Sequence, residues 1–171
     1  NPCKVQGSLT ISGDLQPADL AAIQGVETVT QMLTIEGCTA DPGSFLPHLN
    51  HVGGLVIRNV QGTSVTGFEA LQWAEEGVWI KDSPGPTRIE GFTTLELAQT
   101  VEISNLYQLE QVNAFRVLPG ASAIRLANLP KLTSVSGLGS NLVGTVNSLS
   151  FSQLDQIQYL PYMPKVVPIG Y

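Results

Sequence analysis

The chain is short of most features that mark a nucleic-acid binder, a membrane protein or a disulfide scaffold. Of its 171 residues only 13% are charged, 6% are aromatic and two are cysteines. Eight Lys and Arg stand against fourteen Asp and Glu, a net charge of −6 without a basic run or stripe. A surface that neutralises phosphates needs such a stripe, so neither nucleic acid nor an anionic membrane is expected as a partner. No apolar stretch approaches the roughly 20 residues of a membrane span, and no insertion is expected. Two cysteines, Cys3 and Cys38, leave two arrangements open: one bridge between the amino terminus and the second coil, which would suit an oxidising compartment, or two free thiols. No metal-ligand spacing accompanies them. The sequence has no Asn-x-Ser/Thr acceptor, and the opening Asn1-Pro2-Cys3 is compatible with a mature end left after processing.

What the chain does have is repetition. The core Val78-Trp-Ile80-Lys-Asp82 recurs as Leu9-Thr-Ile11-Ser-Gly13, Leu33-Thr-Ile35-Glu-Gly37, Leu55-Val-Ile57-Arg-Asn59, Val101-Glu-Ile103-Ser-Asn105, Ile124-Arg-Leu126-Ala-Asn128 and Leu149-Ser-Phe151-Ser-Gln153. The third residues, 11, 35, 57, 80, 103, 126 and 151, lie 24, 22, 23, 23, 23 and 25 apart. A second register runs with the first: Val65 with Phe68 and Leu71, Ile89 with Phe92 and Leu95, Val112 with Phe115 and Leu118, Val135 with Leu138 and Leu142, and Ile157 with Leu160 and Met163. Two columns holding one period mark an internal repeat. Apolar and polar residues alternate within each core, the period of a half-buried strand. The expected fold is therefore an all-β solenoid of about seven coils, whose hydrophobic residues, 43% of the chain, fill one shared interior.

One helical signal interrupts the pattern. In Gln16 to Gly25, Pro17 suits a first helical position, Leu20 and Ile23 share a face, and Gly25 suits a left-handed stop. A helix here would cover the open end of the first coil. At the other end Pro161, Pro164 and Pro168 cannot donate to a ladder, while Tyr159, Tyr162 and Met163 are too apolar for a free linker, so a closing lid is expected. The chain thus divides into a strand and cap over 1–25, stacked coils over 26–158 and a Pro-rich closure over 159–171, all within one domain.

Strand alternation sends the first and third core residues inward and the middle one to solvent. Position five shares the inward parity, and there stand Asn59, Asp82, Asn105, Asn128 and Gln153. Inward polar groups need partners, so this column is expected to form an amide ladder at a corner. The outward columns are Thr10, Thr34, Val56, Trp79, Glu102, Arg125, Ser150 and, beside them, Ser12, Glu36, Arg58, Lys81, Ser104, Ala127, Ser152. Their middle places an exposed indole, Trp79, among Val56, Arg58, Lys81, Glu102 and Arg125, a composition favoured at binding hot spots. Trp73 is expected to pack at its corner, with Glu75-Glu76 exposed there.

The opening Cys3 to Ile11, the short helix with its Asp-Leu pair, and Gly25 to Ile35 resemble the start of receptor L-domains, modules of receptor ectodomains, fungal cell-wall proteins and bacterial surface proteins. Val65-Thr-Gly-Phe68-x-x-Leu71 and Ile103-Ser-Asn105-Leu-x-x-Leu109 are similar to that family's repeated coil. The resemblance implies a right-handed β-helix with an amino-terminal helical cap, a non-catalytic role outside the cell, and a partner bound on the broad face. It further implies that an early cysteine such as Cys3 is disulfide-bonded, while Cys38 sits after the second strand and not before it. Leucine-rich horseshoes place Asn three residues after the second strand aliphatic, whereas Asn59, Asn105 and Asn128 follow by two, which favours the L-domain pattern.

Catalytic readings fare worse. No outward column brings two carboxylates onto successive coils, no Gly-x-Ser-x-Gly elbow is present, and His48 and His51 have no third ligand of fixed spacing. Thr10 and Thr34 stack, but Val56, Trp79 and Glu102 interrupt the threonine ladder that an ice-binding face needs. The expected function is extracellular or cell-surface recognition, adhesion or wall structure through a protein partner, without catalysis, metal or cofactor. Carbohydrate binding at Trp79 is the alternative.

Overall fold

A computed structural model of the chain describes residues 3–138, 146 and 148–157. Its strands, in chain order, are β1 (Cys3–Val5), β2 (Leu9–Ser12), β3 (Val26–Glu36), β4 (His51–Arg58), β5 (Ser64–Val65), β6 (Trp73–Lys81), β7 (Arg88–Gly91), β8 (Leu97–Ser104), β9 (Gln111–Ala114), β10 (Ala123–Ala127), β11 (Ser134–Ser136) and β12 (Ser148–Ser152). One wall is an eight-stranded sheet, β1-β3-β4-β6-β8-β10-β12 with β2 also on β3, and the other is β11-β9-β7-β5. Every pairing is parallel. This is the expected β-solenoid, with about six turns instead of about seven. Seven stacked core copies are separated by only six steps.

The interior follows from register. Ile11, Ile35, Ile57, Ile80, Ile103, Leu126 and Phe151 are direct neighbours along the stack. All but Phe151 are buried. On the opposite wall Val65, Ile89, Val112 and Val135 form a second buried row. Between the walls Phe68, Phe92 and Phe115 stack with centroids 4.9 Å apart at both contacts and planes inclined by 15° and 22°. Phe92 and Phe115 hold left-handed backbone, φ 53° and 64°, a conformation that is strained for a bulky residue. Burial of the stack offsets that strain.

The first corner departs from simple alternation. Gly13, Gly37, Asn59, Asp82, Asn105, Asn128 and Gln153 all have positive φ, between 50° and 71°. A left-handed residue turns the chain and ends the strand's two-residue period, so position five does not face inward as expected. Asn59, Asp82 and Gln153 are exposed, and Asn105 and Asn128 are half-buried. The residue types now have a backbone reason: Gly has no Cβ to clash, and Asn and Asp are the side chains that best tolerate this region. From Gly13 to Asn128 each corner N–H donates to the next coil, as from Asn59 to the Asp82 carbonyl at 3.0 Å and from Asp82 to that of Ser104 at 3.1 Å. Just past the turn Cys38, Val60, Ser83, Leu106 and Leu129 point into the core.

A second corner lies inside β3, β4, β6 and β8, which run well beyond the five-residue cores read from sequence. Register shifts there mark bulges. Val29 pairs with Val52, 23 residues on, but Met32 pairs with Gly54, 22 residues on. Ala74 pairs with Ala98, 24 on, and Gly77 with Thr100, 23 on. The unequal spacing of the repeat is thus taken up at the bulge. Gly77 holds it open: φ is 147°, and a Cβ would come within 2.4 Å of the Thr100 carbonyl oxygen.

At the amino end the helix α1 (Pro17–Ile23) starts at the expected proline. It ends through Gln24 in right-handed geometry, so Gly25 is not the left-handed stop that was expected. Leu15, Leu20 and Ile23 rest on the core cluster, which makes the helix a cover for the first coil. Asp14 secures that cover by accepting the Thr39 and Ala40 backbone N–H groups at 2.8 and 3.0 Å and the Thr39 hydroxyl, and these, the Ala40 bond first and the Thr39 hydroxyl second, hold its carboxyl below the usual range. The lid expected over 159–171, and Leu142 with it, lies outside the described residues. Replacing Phe92, the middle ring of the aromatic stack, with Ala is expected to lower stability by about 3–5 kcal/mol, measured as the shift in the urea unfolding midpoint.

Candidate functional site

The broad wall carries both outward rows in the expected order and in direct register. Arg58 and Arg125 are exposed, and Val56, Trp79, Lys81 and Glu102 are half-buried. Ser104 and Ala127, expected outward, are buried. Arg58 is held on Glu36, with Nη2 at 2.6 Å and Nε at 2.7 Å from Oε2. The Ser12 hydroxyl donates to the other carboxylate oxygen at 3.1 Å. The Arg58 hydrogen bond, followed by that from Ser12, keeps the Glu36 carboxyl below its ordinary value. Three coils beyond Glu36, Glu102 accepts from the Ser104 hydroxyl at 2.8 Å and lies 3.9 Å from Arg125 Nη1. Lys81, between these two arrangements, has no carboxylate partner among the described residues.

Trp79 does not stand free in solvent as expected. A Cβ built on Gly54 would meet Trp79 Cζ3 at 3.2 Å and Met32 Cε at 2.8 Å. The indole therefore lies over a glycine of the neighbouring strand, beside the Met32 thioether, with part of its surface open. The most exposed large apolar side chains are elsewhere: Trp73 at 39%, Leu97 at 43% and Tyr107 at 51%. Trp73, expected to pack at its corner, stands in an outer row with His51 and Leu97, its ring edge-on to the His51 imidazole with centroids 6.1 Å apart. That imidazole is engaged by Glu75, 2.9 Å from Nε2. This row went unread because the sequence cores begin only after the bulge.

The expected ladder forms in part. Asn128 Nδ2 donates to Asn105 Oδ1 at 3.0 Å, and Asn105 Nδ2 donates to Asp82 Oδ1 at 2.6 Å. Asn59 is outside this chain and accepts instead from Gln61 Nε2 at 2.9 Å. Beside the ladder Asp82, Ser83, Pro84, Asn105 and Tyr107 line an open cleft of about 260 Å³. Tyr107 was not singled out from sequence, although it stands two residues past the corner Asn105 and has no apolar column to join.

Compared with protein-family models, curated proteins and solved structures, this chain matches none. Its functional reading rests on its own geometry.

No three His, Cys, Asp or Glu side chains converge among the described residues, and no described helix is long and apolar enough to cross a membrane. Cys3 and Cys38 are both free thiols, the first exposed and the second buried. Of the two arrangements that the sequence left open, the structure has the free thiols, and Cys38 serves as an apolar member of the column shared with Val60, Ser83 and Leu106.

Burial pushes the Cys38 thiol from its ordinary 9.0 to about 11. A folded pKa above the unfolded one means that this contribution to stability is complete below about pH 9 and is lost as the pH rises through about 11. At pH 8 a thiol reagent is expected to label one cysteine in the native chain, Cys3, and the second only after unfolding, as read by mass spectrometry. Trp79→Ala is expected to cost about 1–2 kcal/mol, seen as a lowered thermal midpoint, because the ring covers Gly54.

Proposed function

We propose that this chain is a non-catalytic recognition module of the receptor L-domain type, acting outside the cell and binding a protein partner on its broad wall. The parallel solenoid with a helix over its first coil supports that reading. The observation that carries it is the uncommitted centre of the wall: Lys81 has no carboxylate partner among the described residues, while Arg58 has Glu36 and Arg125 has Glu102 nearby, and the open part of Trp79 sits in the next row. An unpaired cation beside a partly covered indole, rimmed by paired charges, offers an apolar contact and one unmet charge to a partner bearing a carboxylate.

Surface ion pairs contribute about 0–1 kcal/mol, so charge changes at Lys81 can be made without unfolding the chain. Against an array of extracellular proteins and glycans, Lys81→Glu is expected to weaken capture of the protein partner on the order of tenfold with the thermal midpoint unchanged. Capture of a protein that Lys81→Glu and Trp79→Phe both leave untouched would overturn the assignment to this wall.

A further inference from the structure

We infer that the corner cleft beside Tyr107 is a second binding site, for a single neutral sugar ring. It lies off the broad wall and does not rest on the reading given for that wall.

The cleft has the two kinds of surface that a hydroxyl-rich ring requires. Tyr107 offers a flat face, 51% exposed, on which the C–H face of a pyranose can stack. Its hydroxyl is tethered, because Asn128 Nδ2 donates to it at 3.2 Å while also serving Asn105. That bond positions the ring at the cleft, and Pro84 adds a rigid apolar lining residue. Preorganised aromatic area of this kind binds with little ordering cost.

The polar surface has a direction. Both amides donate along the stack, from Asn128 to Asn105 and from Asn105 to Asp82. A carboxylate can only accept, so Asp82 fixes the orientation of the whole chain of bonds. One of its oxygens takes Asn105; the other has no protein donor among the described residues. Asp82 is exposed, so this oxygen is available to a donor from outside, and sugar hydroxyls are such donors. Ser83 takes no part, its hydroxyl donating to the Lys81 carbonyl and accepting from the Val60 N–H.

Charge and size narrow the ligand. The cleft is lined by one carboxylate and no cation, which disfavours acidic sugars and phosphates. At about 260 Å³ it falls just below the roughly 300 Å³ at which drug-sized pockets begin, which suits one ring at a chain end better than a long oligosaccharide lying across the coils.

The full chain is tested by titrating neutral hexoses and N-acetylhexosamines, free and as terminal residues of oligosaccharides, with thermal melts confirming that each variant is folded. Binding is expected to fall on the order of tenfold or more in Tyr107→Ala and about tenfold in Asp82→Asn, which keeps a residue suited to the left-handed turn. Tyr107→Phe, which keeps the face, should fall less than Tyr107→Ala. Lys81→Glu on the broad wall should change nothing. Absence of binding by any neutral sugar, or binding that Tyr107→Ala leaves intact, would overturn the proposal, whereas sensitivity only to Lys81→Glu would return the glycan to the broad wall.

Discussion

Every coil of this solenoid has to turn at the same point of its cross-section, or its strands would not lie over those of the next. The left-handed corner at Gly13, Gly37, Asn59, Asp82, Asn105, Asn128 and Gln153 imposes that condition. It does so with backbone alone: at this corner one residue of each coil holds positive φ, and from Gly13 to Asn128 its N–H is given to the carbonyl one coil on. The hydrophobic rows on either side are in register because this turn is. Burial of Ile35, Ile57, Ile80 and Ile103 then supplies the larger energy, but it is the corner that brings them together.

The same turn explains why chemistry collects on its outer side. A corner position that favours Asn, Asp or Gly for conformational reasons leaves any polar group it carries outside the core, stacked on its equivalents at coil spacing. The amide chain from Asn128 to Asp82 is thus a by-product of the turning rule, and Tyr107 and Pro84 convert part of it into a cleft. On the broad wall the opposite holds. There the residue types are free of any backbone demand, and charge pairing decides which side chains remain available to a partner.

Much of the fold was legible because two columns kept one period: the buried isoleucine row, the outward rows through Val56, Trp79, Glu102 and Arg125, and the helix beginning at Pro17 all follow from spacing. What alternation could not reveal was conformational. Counting parity carried Asn59, Asp82 and Asn105 inward, whereas a single left-handed residue resets the count. Trp79 read as solvent-facing because parity does not say that Gly54 leaves room for a ring to fold down. Trp73, His51 and Leu97 escaped notice because the strand continues through a bulge, where the alternation is broken. Spacing alone left the state of Cys3 and Cys38 open, because it does not show that Cys38 fills, as a buried free thiol, the position that the next coil fills with Val60.

The bulge within β3, β4, β6 and β8 has a bearing on how such an array tolerates change. Its strands differ in the number of residues they place there, yet the rows on both sides remain aligned. Where Gln31 and Glu75-Glu76 bow outward, the polypeptide works as an expansion joint, soaking up an insertion or deletion of one residue before it can propagate. A lineage of unequal modules can accumulate in such a stack, each drifting in length at this seam while its interior stays interchangeable with its neighbours'.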